Sequence, residues 1–279
     1  MRIRLLGLVA AAVAVAIGAV PVSADSAMFN PPKQYYLSLG DSLAFGFQND
    51  RFVSELASGT YSPADFPGYT YAFGDHMRTV DPSLRVVDYG CPSESTSSFT
   101  TACALQERGV PLHDAYTGQS QEQAALAFLG AHAGNVSPIT VSLGVNDLEN
   151  GASVAEIQAN LTGILGRLRA AAPYAEIIVL DYYNPLFFNG RPIPDAVIGL
   201  LDQAIDAAAH SAGARSANAF AAFNVATPPA TEVTNICRLT LMCPGGVINP
   251  NGDVHPSDLG YNTIAGIFWD ASGYDRLTD

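Results

Sequence analysis

Four short stretches hold the residues whose types and spacing could do chemistry. Gly40-Asp41-Ser42-Leu43 places a hydroxyl behind a Gly and an Asp. Gly90 follows a second apolar run, and Gly144-Val145-Asn146-Asp147 puts a carboxamide after a third. Near the C-terminus stand Asp253, His255 and Pro256, an imidazole with a carboxylate two residues before it. Acyl transfer needs such a set: a nucleophile, a base to take its proton, and N–H donors for a developing oxyanion. Each stretch alone has a plainer reading. Ser42 fits a helix N-cap, Gly90 a turn, and Asn146 a turn or helix start. Asp41 and Asp147 read as structural, bonding backbone N–H groups around the site. His76, His113, His132 and His210 match none of the four stretches and read as surface or packing residues.

The elements between these stretches decide whether they can meet. Tyr35 to Leu39 reads as a buried strand ended by Gly40, Leu84 to Tyr89 as a second ended by Gly90, and Ile139 to Leu143 as a third ended by Gly144. Glu176 to Leu180 is a fourth strand, and Ala214 to Phe220 holds a short fifth. Helical spacing covers Tyr69 to Arg78, Gln119 to Ala133, and Asp195 to Ala212 with Gly213 as its cap. Ser153, with Glu156 three residues on, starts a helix that Pro173 ends, and Ser257 caps a last helix to Asp270. Residues 91–118 read as a long loop pinned by a disulfide, and 227–256 as irregular. Strands alternating with helices predict one α/β domain over residues 34–279, a mostly parallel sheet between two helical layers. Ligands of such sheets bind beyond the carboxyl ends of the strands, and the four stretches lie there or just before a helix.

With these residues in order, the chain resembles the SGNH hydrolase superfamily, the GDSL family of lipases and esterases, along most of its length from Gly40 to Pro256. The resemblance implies a flavodoxin-like α/β/α sandwich, no metal or other cofactor, and hydrolysis of esters or thioesters. It makes Ser42 the nucleophile and assigns the oxyanion to the Ser42 and Gly90 N–H groups and the Asn146 side chain. His255 would take the Ser42 proton and later return it to the leaving alcohol, so activity is expected to fall as acid protonates it. The chain departs from the family at the acid. The family places an Asp three residues before the His, where this chain has Gly252. Asp253, two before, shares a face with His255 if the segment is extended. A backbone carbonyl, Asp258, or a dyad without any acid are the alternatives.

After the fourth strand runs Tyr182-Tyr183-Asn184-Pro185-Leu186-Phe187-Phe188. It reads as an aromatic wall for an acyl chain, with Phe187 and Phe188 as candidate substrate contacts, or as packing over a helix end. Phe45, beyond the nucleophile, poses the same choice.

Composition narrows the remaining classes. The chain has 279 residues, 48% hydrophobic and 14% charged, enough apolar material for a sizeable core. A formal charge of -13 repels phosphate backbones, which argues against nucleic acid as a partner. The G-x-S-x-G elbow, the G-x-G-x-x-G fingerprint, the P-loop and H-E-x-x-H are missing from the sequence. Arg2 and Arg4, an apolar run from Leu5 to Val20, Pro21 and Val22-Ser23-Ala24 have the order of a secretory signal over residues 1–24. A membrane anchor is the alternative for that run. Residues 25–33 form a short lead, and no second long apolar run follows, so the mature chain is expected without a membrane span. Cys91, Cys103, Cys237 and Cys243 fit an exported protein, and the local pairings Cys91–Cys103 and Cys237–Cys243 are favoured over zinc binding. The expectation is a secreted, monomeric serine esterase or lipase acting on small-molecule or lipid esters. The other readings are a carbohydrate acetylesterase and a secreted binding module that keeps the fold without the catalysis.

Overall fold

The computed structural model describes residues 30–277; the signal segment expected over 1–24 and most of the lead lie outside the described residues. The first strand, β1 (Tyr35–Gly40), turns directly into the short helix α1 (Ser42–Phe45), followed by α2 (Asn49–Ser58) and α3 (Gly68–Arg78). Strand β2 (Arg85–Asp88) leads into a long loop carrying α4 (Ala104–Glu107), and α5 (Gln121–Ala131) returns to β3 (Val136–Ser142). After β3 come α6 (Val145–Glu149), α7 (Val154–Ala171) and β4 (Ile177–Asp181). A two-stranded hairpin, β5 (Phe187–Phe188) and β6 (Arg191–Pro192), precedes α8 (Asp195–Ser211) and β7 (Arg215–Asn218). The chain closes with α9 (Ala219–Phe223), α10 (Glu232–Leu239) and α11 (Asp258–Ser272).

Five strands pair in parallel in the order β2-β1-β3-β4-β7. This is the flavodoxin-like strand order, in which connections leave β1 and β3 toward opposite faces and open a crevice between their carboxyl ends. Every residue of β3 and β4 is buried, as a sheet covered on both faces requires. Helices α3 and α11 pack together on one face, and α5, α7 and α8 on the other. The main core runs through both layers, from Leu37, Leu39 and Val141 in the sheet to Leu161, Leu165, Leu201 and Phe268 in the helices. A smaller cluster of Phe45, Phe52, Phe66, Leu112 and Tyr116 fills the space under the loop after β2, around the Cys91–Cys103 disulfide.

All the expected strands and helices form, with ends shifted by a few residues. Ser153 accepts the Glu156 N–H at the start of α7, and Ser257 accepts the Gly260 N–H at the start of α11. Helix α8 is capped by Ala212, with Gly213 one residue beyond in the left-handed conformation (φ +60°). Six helices go beyond those expected, the short α1, α4, α6 and α9 and the longer α2 and α10. α2 occupies a stretch the sequence left without structure, and α10 lies inside the span 227–256 read as irregular. The loop after β4 is partly a hairpin, turned by Asn189 (φ +49°) and Gly190 (φ +77°), the left-handed pair that a tight two-residue connection demands.

Candidate active site

The crevice between β1 and β3 is where the sequence places its hydroxyl and carboxamide. Gly40 ends β1 at φ +135°, and a Cβ there would fall 2.3 Å from the Ser142 carbonyl oxygen, so a side chain would push β1 and β3 apart. Gln121 grips the same residue from both sides: its Oε1 accepts the Gly40 N–H at 2.6 Å and its Nε2 donates to the Gly40 carbonyl at 3.0 Å. Asp41 caps α1. Its Oδ1 accepts from the Leu43 N–H at 2.9 Å and the Ser142 hydroxyl at 3.1 Å, and its Oδ2 from the Tyr182 hydroxyl at 2.6 Å. Complete burial raises the Asp41 pKa to about 6 despite those three donors. The result is a rigid platform with Ser42 on its first helical residue.

His255 arrives from the other end of the chain. Its Nε2 lies 2.9 Å from Ser42 Oγ, and its Nδ1 lies 2.5 Å from Asp253 Oδ1. With Nδ1 protonated and donating to the carboxylate, Nε2 presents its lone pair to the Ser42 hydroxyl. Asp253 Oδ1 also accepts the His255 N–H at 3.1 Å, while Oδ2 accepts the Asn49 N–H at 2.7 Å. Asn49 opens α2, so the carboxylate sits at the positive end of that helix. Burial alone would raise the Asp253 pKa; the hydrogen bond and charge of His255 and the two backbone donors override it and hold the group below the usual carboxylate range. The His255 segment is tied down by the Leu241 N–H to the His255 carbonyl, the Ser257 N–H to the Leu239 carbonyl, and the Tyr183 hydroxyl to the Val254 carbonyl. The Phe47 ring packs against the imidazole at 4.9 Å between centroids.

The donors differ from expectation at one residue. Asn146 stands at the mouth of the crevice, one of its amide hydrogens held by the Glu94 carbonyl at 2.8 Å. Gly90 does not face the crevice: its N–H is spent on Asp88 Oδ1 at 2.8 Å, and a Cβ on it would meet the Phe45 backbone nitrogen at 2.5 Å. It lets β2 pack under α1. Three residues on, Ser93 lines the cavity beside Ser42 and Asn146. It is held at φ +69°, a conformation that costs a residue with a side chain on the order of 1–3 kcal/mol. Its backbone N–H meets no acceptor among the described residues. The loop bearing it is fastened from below. Buried Glu94 accepts from the Ser98 hydroxyl and from Gln121 Nε2, and burial raises its pKa to about 7 against those bonds. Asp147 accepts the Thr96 N–H at 2.7 Å, the structural part expected of it.

Ser42, Ser93, Asn146 and His255 open on a cavity of about 460 Å³ with an apolar wall that includes Leu43, Leu148, Tyr182, Ile193 and Val197. Phe188 belongs to this wall. Phe187 does not line it, and Phe45 is fully buried against Phe66 and His113, so neither touches the space a substrate could fill. Period-two alternation along β5 turns Phe187 away when Phe188 faces in. His113 is a packing residue, its Nε2 lying 3.1 Å from the Phe45 and Phe66 carbonyls. Among the described residues, one cluster draws potential metal ligands together, Cys91, Glu94 and Cys103. Both sulfurs are joined in a disulfide and have no thiolate to give. The second expected pair, Cys237–Cys243, also forms, joining the end of α10 to the loop beyond it.

Solved structures share the fold at low sequence identity. LAE5, described as an α/β hydrolase from the metagenome of Lake Arreo, Spain, is 16% identical and superposes with a TM-score of 0.57, covering 88% of this chain and 98% of its own. Axe2, an acetylxylan esterase from Geobacillus stearothermophilus, is 16% identical with a TM-score of 0.55, over 88% of this chain and 97% of its own. No curated protein matches the chain in sequence. Residues 38–262 match the model of the GDSL-like lipase/acylhydrolase family, a span that begins in β1 and ends in α11 and so encloses Ser42, Ser93, Asn146 and His255. The chain belongs to the GDSL-like lipase/acylhydrolase family.

Proposed function

We propose that the protein is an exported serine esterase that hydrolyses carboxylic esters through an acyl-enzyme on Ser42. The observation that carries this reading is the unbroken hydrogen-bonded line from Ser42 Oγ through His255 to Asp253, at 2.9 and 2.5 Å. Neutral His255 takes the Ser42 proton as Oγ attacks the ester carbonyl carbon. Asp253 fixes the tautomer and stabilises the imidazolium, which favours a triad over a dyad or an acid from Asp258. The oxyanion is met by the Ser42 N–H, the second amide hydrogen of Asn146, and the Ser93 N–H in place of Gly90. Collapse of the intermediate breaks the bond to the alcohol oxygen, which leaves with the proton from His255 Nε2. Water then attacks the acyl-enzyme with the same base.

The apolar cavity supports acyl chains longer than acetyl, since its volume lies within the ~300–1,000 Å³ of sites that enclose whole small ligands. Export is supported by two disulfides, and no helix of the described residues is long and apolar enough to cross a membrane. The test is a series of p-nitrophenyl esters from acetate to dodecanoate, run on residues 25–279 beside Ser42→Ala. Rates should rise from acetate to an intermediate chain length and vanish in Ser42→Ala. A maximum at acetate favours the carbohydrate-acetylesterase reading, and equal release by both proteins removes the serine mechanism.

A further inference from the structure

A second cavity of about 930 Å³ opens on the far side of His255. It meets the apolar cavity at Phe188, Val254 and His255, which line both. The two differ in chemistry. The apolar one touches Ser42 and Asn146; the second touches neither, yet reaches the imidazole. Its walls carry the carboxamides of Asn49, Asn189, Asn249 and Asn251, with Arg51 and Arg238 balanced by Asp50 and Asp253. The Asn189 and Asn251 side chains are exposed and make no hydrogen bond within the described residues, so their donors and acceptors face the cleft unspent.

Resting on the serine-esterase reading, we infer that the alcohol half of the substrate is a neutral polyhydroxy group seated in this amide-lined cleft, while the acyl chain lies in the apolar cavity. The leaving oxygen must receive its proton from His255 Nε2, so the alcohol stands against the imidazole, on the side away from Asn146 and the oxyanion. Phe188, Val254 and His255 line both cavities, so the cleft is the polar space that adjoins the imidazole beyond the apolar cavity. Carboxamides pair with hydroxyls as both donor and acceptor. Two positive and two negative side chains leave no net field to select a phosphate. The hairpin β5–β6 stands at the junction, with Phe188 lining both cavities and Asn189 the cleft alone. The Gly190 N–H bonds the Pro250 carbonyl at 2.9 Å and so joins this hairpin to the loop of Asn249 and Asn251.

The experiment holds the acyl group at octanoate and changes the alcohol: p-nitrophenyl, ethyl, 1-glyceryl, sucrosyl and 1-glyceryl-3-phosphate esters. The glyceryl or sucrosyl ester should exceed the ethyl ester at least tenfold in kcat/KM, and whichever leads identifies the polyol as glycerol-like or sugar-like. Adding the phosphate should bring no gain. Asn189→Leu and Asn251→Leu should each shrink the polyol-to-ethyl ratio fivefold or more, a ratio that loss of folded protein would not move. Equal rates on ethyl and polyol esters, a preference for the phosphate ester, or an unchanged ratio in both variants overturns the inference. If p-nitrophenyl octanoate is hydrolysed in any of those cases, the serine-esterase reading survives; if it is not hydrolysed at all, both fall.

Discussion

The two halves of the proposed reacting pair are held in opposite ways. Ser42 stands at the end of the sheet: Asp41 beside it is fully buried, joined to α1, β3 and the residue after β4 through Leu43, Ser142 and Tyr182. His255 stands on a loop between α10 and α11, kept in place by a helix N-terminus, three backbone-directed hydrogen bonds and a disulfide. The proposed nucleophile therefore inherits the stability of the core, whereas the proposed base depends on a few local contacts. Damage to the Ser42 platform should appear as lost stability, and damage around His255 as lost catalysis in a protein that stays folded.

Asp253→Asn should break that contrast most visibly. An amide cannot fix the Nδ1–H tautomer, so kcat should fall about 10³–10⁴-fold with KM and the melting temperature little changed. A loss under tenfold would show that the imidazole does not rely on this carboxylate. Asp41→Ala should do the reverse. Three buried donors lose their acceptor, a cost on the order of 3 kcal/mol. For a domain of this size that lowers the melting temperature by about 6–12 °C in calorimetry, and the surviving folded protein should keep measurable kcat. A stable but dead Asp41→Ala would erase the distinction.

Opening the second disulfide tests the base side more gently. Cys237→Ser with Cys243→Ser removes a short loop closure worth about 2–3 kcal/mol in the chain-entropy model. It should lower kcat several-fold through looser placement of His255, and unchanged kcat would mean the hydrogen bonds alone suffice. The smallest effect concerns stability and pH. Burial, then the charges of Asp206 and Asp202, raises the pKa of Asp181 to about 8 from 3.8, and its Oδ1 has no partner. The folded protein keeps a proton that the unfolded chain releases near pH 4. This contribution is complete below that pH and drains away as pH rises to about 8. Asp181→Asn should raise the melting temperature at pH 8 and leave it nearly unchanged at pH 4; equal shifts at both would deny the raised pKa.

The same contrast explains what the sequence made legible. The nucleophile side is written in continuous apolar strands ended by Gly40 and Gly144, a pattern that burial on both faces imposes. Ser42, Asn146 and His255 follow from that frame. The base side is not periodic. α2 buries one residue, Phe52, and starts without a side-chain cap of its own, so neither pattern nor cap announces it. Without α2, the reason a carboxylate two residues before His255 suffices is invisible, because the Asn49 N–H that anchors it belongs to that helix. α10 is masked by Pro, Gly and Asn crowding 227–256, and its capping box of Thr231 and Thr234 lacks the Glu or Gln that marks the usual sequence signature. Asn189-Gly190 was a readable hairpin signal. Ser93 was not readable: a left-handed serine leaves no mark in composition, and glycine is the residue that the resemblance offers for such a place. Phe45 and Phe187 show the limit of adjacency, since side-chain direction decides contact and sequence distance does not.

Esterase catalysis as proposed depends on activation of Ser42 by His255 for covalent acyl chemistry. A fluorophosphonate probe tests it directly by intact-mass and peptide mass spectrometry. One adduct per chain, placed on Ser42 and lost or slowed more than a hundredfold in His255→Ala, is the predicted result. Labelling elsewhere, or Ser42 labelling that is indifferent to His255, would contradict the account.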